Sequence, residues 1–210
     1  MRRILLIIIT LLTLCTAWAQ TTKQEQAAIN AISRAAANTK TLQATFTQTK
    51  TLKMLGDKMV SKGRMCYSQS DKLRWEYTSP YTYTFILNGN KVLLRKGKRS
   101  DVIDVNRNKM FKEIARIMMN SMLGRCITDS KTFKVSVKTD AKNYTATLVP
   151  LKKDMKQMYS RIVLTFGKQT ATVNRVTMYE RNGDCTDIVL DNIRLNANVS
   201  NSEFNGSNFK

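Results

Sequence analysis

GRMCYSQSDKLRWEYTSP, residues Gly63 to Pro80, reads as two strands joined by a polar turn at Ser68-Gln69-Ser70-Asp71. In the second strand, Lys72 to Thr78, the side chains alternate: Leu73, Trp75 and Tyr77 face one way, Lys72, Arg74 and Glu76 the other. A period of two with one apolar face marks a half-buried antiparallel strand. Pro80 ends it, having no N–H to give a ladder.

The same reading extends in both directions. Upstream, Thr41 to Lys53 alternates Leu42, Ala44, Phe46 and Gln48, and Gly56-Asp57 turns the chain into a strand over Lys58 to Tyr67. Downstream, strands are expected over Tyr81 to Leu87, Lys91 to Lys96 and Arg99 to Asp104. They resume over Phe133 to Lys138, Asn143 to Pro150, Tyr159 to Phe166, Val173 to Arg181 and Cys185 to Leu195. Asn88-Gly89-Asn90 and Asn182-Gly183-Asp184 are tight-turn signals.

Two segments break the period of two. Thr21 to Thr39 is alanine-rich with one apolar stripe and reads as a helix. From Met110 to Met122, Phe111, Ile114, Ala115, Met118, Met119 and Met122 recur at helical spacing, with Gly124 as the stop. The expected fold is mainly β with α: a curled antiparallel sheet, or unclosed β-barrel, of about eleven strands. The second helix has an apolar stripe to bury, and the concave face of the sheet is the surface available. No linker or repeat divides the chain. The Asn- and Ser-rich tail from Asn196 is expected to be loose.

The first nineteen residues have the form of a secretory signal peptide. Arg2-Arg3 is a basic start, Ile4 to Leu14 an apolar run, and Ala17-Trp18-Ala19 a small-x-small cleavage site before Gln20. The run is too short to cross ~30 Å of hydrocarbon. Leu14 is too large to precede a lipidated Cys15. Processing after Ala19 would leave a single exported domain, 20–210.

Of 35 basic residues, Arg2 and Arg3 leave with the leader, so 33 face 15 acidic ones, a net charge of +18. Export argues against nucleic acid as the partner of that charge. The basic residues are spread along the chain, which suits a solvated surface with transient attraction to anionic membrane headgroups. Three cysteines remain, Cys66, Cys126 and Cys185, so one disulfide at most can form within the chain, and buried thiols are an equal alternative.

The chain has no histidine, hence no ordinary base for a Ser or Cys nucleophile and no completed zinc motif. Neither a phosphate loop nor a GxSxG elbow is present. Neither enzymatic activity nor a cofactor is expected.

The order of several short motifs resembles the outer-membrane lipoprotein carrier family, the LolA-type periplasmic chaperones. These are the exported N-terminal helix, Phe46-Thr47-Gln48, Gly63 opening a strand, Leu73-Arg74-Trp75-Glu76-Tyr77 with Pro80 beyond it, and Leu87-Asn88-Gly89-Asn90-Lys91. The resemblance implies a half-open barrel with a helical lid, enclosing an apolar cavity for lipoprotein acyl chains. It further implies a monomer loaded by an inner-membrane lipoprotein-releasing transporter and unloaded by an outer-membrane acceptor. Two departures mark a divergent member. Gln69-Ser70 stands where the family commonly has Arg-Pro, and the C-terminal Phe-x-Phe and Pro-Gly turn are reduced to Phe204 and a polar tail.

On this reading Met65, Leu73, Trp75, Tyr77, Phe85 and Leu87 line the acyl cavity, and Phe111, Ile114, Met118 and Met122 form the lid, with Met119 beside them. Methionine suits such a lining because it is unbranched, polarizable and easily repacked. A different class of function fits the same sheet: an envelope sensor or scaffold that binds protein or polysaccharide.

Overall fold

Eleven strands form a single antiparallel sheet in a computed structural model of the protein. The structure describes residues 23–69, 71–107, 117 and 119–205. The first six strands are β1 (Thr41–Leu52), β2 (Asp57–Ser68), β3 (Lys72–Ser79), β4 (Tyr83–Asn88), β5 (Lys91–Lys96) and β6 (Arg99–Asp104). The remaining five are β7 (Phe133–Thr139), β8 (Asn143–Pro150), β9 (Tyr159–Gly167), β10 (Thr172–Glu180) and β11 (Cys185–Leu195). Their spatial order is β6-β5-β4-β3-β2-β1-β11-β10-β9-β8-β7. The first and last strands of the chain's sheet therefore meet at its centre, and β6 and β7 are left as open edges. The sheet is curled but not closed.

Register turns the alternation into continuous apolar rows. Leu42, Tyr67, Leu73, Leu87, Val92 and Ile103 stand side by side across β1 to β6. A second row runs Ala44, Met65, Trp75, Phe85 and Leu94. In the other half Ile188, Val176, Leu164, Ala146 and Val137 continue the same face. A one-residue slip would turn each of these strands' apolar sets to solvent, so burial itself holds the register.

Helix α1 (23–38) lays Ala28, Ile32 and Ala36 on this face. The Glu25 carboxylate accepts a hydrogen bond of 2.7 Å from the Val137 N–H, engaging a donor on edge strand β7. Of the second expected helix, α2, residues 117 and 119–122 are described and are helical; Phe111, Ile114 and Met118 lie outside the described residues. Gly124, at φ 70°, ends α2 in the left-handed conformation. A Cβ there would press on the Phe166 ring at 2.5 Å and on Ile32 at 3.1 Å. One glycine thus lets the end of α2, α1 and β9 converge.

The structure corrects two expectations. A short helix, α3 (Lys153–Met158), joins β8 to β9 and has no counterpart in the sequence reading. Only Met155 of its six residues is buried, so it shows no apolar period. The tail, expected to be loose, is tied down through residue 205. Thr41 donates from Oγ1 to the Ala197 carbonyl at 2.6 Å, and Asn201–Phe204 form a 3-10 turn capped by Ser200. Phe204 is buried against Cys66, Ile86 and Leu93 on the convex side of the sheet. Polar composition suggested disorder; one aromatic anchor and a capped turn override it. Cys66, Cys126 and Cys185 are all thiols rather than disulfide partners.

Candidate functional site

The concave face is built from the residues that alternation singled out. Met65, Leu73, Trp75, Phe85, Leu87 and Met122 are all buried in one apolar cluster, with Tyr77 and Met119 packed at its margin. Phe46 and Trp75 stack at 4.1 Å between ring centroids, and Tyr77 meets Phe46 edge-on at 5.3 Å. Gly63 makes this possible. A Cβ there would collide with the Glu76 carbonyl and the Phe46 ring, so no larger residue leaves room for the stack. The β2–β3 pairing also shifts register between Lys62 and Gly63, which re-aims the end of β3.

Toward the β1–β2 turn the same face becomes polar. Tyr77 donates from its hydroxyl to Gln48 Oε1 at 2.9 Å, and burial pushes its phenol pKa up. Two residues along β1, Lys50 pairs with Glu180 at 3.3 Å, and Thr186 donates to the same carboxylate at 3.2 Å. Sequence reading missed this ion pair. Period-two alternation does place Lys50 on the face of Phe46, but Glu180 comes from the far half of the chain. The mouth of the concave face therefore carries paired charge, whereas its depth is lined almost wholly by apolar side chains.

The convex face has a different chemistry. Arg64 and Arg74 converge on Glu76 at 2.7 and 3.0 Å, and Arg64 reaches Glu203 of the tail at 3.1 Å. Burial opposes ionisation of Glu76, but the hydrogen bonds and charges of the two arginines win and hold its pKa below the ordinary carboxylate value. Beneath the tail, burial first and then Glu203 push the Cys66 thiol up to about 11. Two grooves open on this side, one of about 570 Å³ beside Arg64 and Glu203, the other of about 510 Å³ over Thr49, Arg175 and Asp187. Of the residues nominated from sequence and described in the structure, Met65 alone borders either groove.

An unclosed antiparallel half-barrel with helices laid on its concave apolar face defines a scaffold rather than a single activity. The chain belongs to the family described as outer membrane lipoprotein carrier protein LolA, whose model matches residues 37–207. No curated protein matches the sequence. Among solved structures, a conserved protein from Thermus thermophilus is 8% identical with a TM-score of 0.55, covering 85% of this chain and 91% of that one. MucB of Pseudomonas aeruginosa, solved in complex with MucA, is 9% identical with a TM-score of 0.52; it covers 86% of this chain, which spans 60% of that one. A LolA superfamily protein of Nitrosomonas europaea is 7% identical over 86% of this chain and 98% of its own, at a TM-score of 0.46. At such identities the likeness is one of fold. Among the described residues no helix is long and apolar enough to cross a membrane.

Proposed function

We propose that this protein is a non-enzymatic periplasmic carrier that shields the acyl chains of lipoproteins in transit between membranes. The observation that carries the reading is the concave face itself. It is a continuous apolar wall on an open sheet, covered by helices rather than by a second sheet. Water-exposed acyl chains cost about 0.8 kcal/mol per methylene, so a lipoprotein crossing an aqueous space needs such a wall.

In this proposal Met65, Leu73, Trp75, Tyr77, Phe85 and Leu87 form the wall, and Phe111, Ile114, Met118 and Met122 the cover. Acyl chains enter by displacing the cover, taking over contacts that Met119 and Met122 make in the closed form. The paired charges Lys50 and Glu180 sit at the mouth, where a lipoprotein's polar backbone would emerge. The leader is removed after Ala19, and residues 20–210 act as one monomeric domain. An inner-membrane releasing transporter loads it and an outer-membrane acceptor unloads it. Family membership supports the cargo class.

The protein purified from the envelope of producing cells, extracted with organic solvent and analysed by mass spectrometry, should yield lipid or acylated lipoprotein in stoichiometric amount. A clean preparation that also fails to take up diacylated lipopeptide would point instead to a scaffold. MucB, of similar fold and solved with a protein partner, favours that second reading.

A further inference from the structure

The two ends of the half-barrel are chemically unlike. One end carries the β1–β2, β3–β4, β5–β6 and β10–β11 turns together with α3. There Met54 and Leu55, at the tip of the β1–β2 hairpin, are 92% and 75% exposed, and Tyr81 and Met158 are exposed as well. At the opposite end the described turns show no exposed large hydrophobic residue. They present Gln69, Asp71, Asn90, Asp140 and Lys168 instead.

These apolar tips belong to one continuous rim. Lys53, next to Met54, donates its N–H to Asp184 in the β10–β11 turn at 3.0 Å. In that turn Arg181 donates its N–H to the Met158 carbonyl at 3.0 Å and its Nε to the Lys156 carbonyl at 2.9 Å. Lys53, Lys58, Lys98, Lys153, Lys156 and Arg181 lie at the turns and helix of this same end, against Asp57, Asp154 and Asp184. Two of those acids accept hydrogen bonds from backbone N–H groups, Asp57 from Lys58 and Asp184 from Lys53.

We infer that this rim is a docking surface for an anionic lipid bilayer, with the β1–β2 hairpin tip entering the headgroup region. Exposed Met and Leu side chains at a lysine-rich end combine shallow apolar insertion with attraction to acidic headgroups. Tyr81 adds an amphipathic ring of the kind that settles at the interface. A protein partner fits less well, because the buried centres of protein interfaces are depleted in lysine. The inference stands whether or not the concave face holds acyl chains.

Flotation with vesicles of phosphatidylcholine, with and without phosphatidylglycerol, tests it on the protein in the form the producing cell processes it. The protein should float with the anionic vesicles only. Met54→Asp with Leu55→Asp, and separately Lys53→Glu with Lys58→Glu, should each lower partitioning at least about tenfold. Lys142→Glu with Lys168→Glu, an equal charge change at the far end, should leave it nearly unchanged. Emission of a Leu55→Trp variant should shift to the blue on anionic vesicles. Equal flotation with neutral vesicles, rim variants that float like the original, or a far-end variant that loses as much would each overturn the proposal. An unshifted Trp emission from the Leu55→Trp variant would do the same.

Discussion

One sheet carries two faces that close their apolar surface by different means. On the convex side the exposed patch is small, and the chain's own tail closes it with a single side chain, Phe204, over Cys66, Ile86 and Leu93. Ion pairs from Arg64 and Arg74 to Glu76 and Glu203 pin that closure from outside. On the concave side the apolar surface spans both halves of the sheet, and α1 with Ile117, Met119 and Met122 packs against it. The convex patch is sealed by the chain itself. The concave surface is the larger and is met by unbranched, polarizable side chains, Met119 and Met122 among them. On the proposed function, a cover of that kind would be exchanged for a ligand of similar chemistry, and the charged strap would not.

The largest expected effect is on the concave side. Phe46→Ala removes the ring stacked on Trp75 and should cost about 3–5 kcal/mol of stability, as for other buried aromatic truncations, read from denaturant unfolding. Phe204→Ala should cost less, about 1.5–3 kcal/mol, because only one side chain is uncovered and the tail can detach without the sheet. It should also make Cys66 reactive toward a thiol reagent, since the thiol loses the burial that raises its pKa. If Phe204→Ala proves the costlier of the two, the ranking of the faces is wrong.

The ion pairs give a smaller, pH-dependent effect. The folded-state pKa of Glu76 lies below its unfolded value near ~4.3. Its contribution is therefore fully present above that pH and lost as pH falls through the folded value. Exposed pairs contribute roughly 0–1 kcal/mol, and this half-screened network should lie near the upper end. Glu76→Gln should flatten the acid side of the stability profile, as measured by melting at several pH values. The smallest effect on stability is expected from Met119→Asp. Its side chain lies at the margin of the cluster and can turn to water, so the melt should remain cooperative while acyl-chain binding falls.

Much of this contrast is readable in the chain itself. Leu73, Trp75 and Tyr77 alternate with Arg74 and Glu76, so one strand announces both faces, and the hairpin signals at Asn88-Gly89 and Asn182-Gly183 help count the strands. What stays hidden depends on distant parts of the chain meeting. The Lys50–Glu180 pair joins strands 130 residues apart, and only the β1–β11 pairing at the sheet centre brings them together. The tail misleads because Asn and Ser dominate it, while its structure rests on Phe204, a capped turn and ion pairs to Glu203 made by distant arginines. α3 is invisible because a helix with one buried residue has no periodicity to detect.

Trp75 offers the most direct test of the central claim, that the concave face receives acyl chains. It lies inside the face, stacked on Phe46, and is 3% exposed. A diacylated lipopeptide brominated along its chains should quench Trp75 emission on binding. The quenching should saturate at one lipopeptide per protein, disappear in Trp75→Phe and weaken in Met119→Asp. Saturable binding with Trp75 emission unchanged, or no binding at all, would contradict the account.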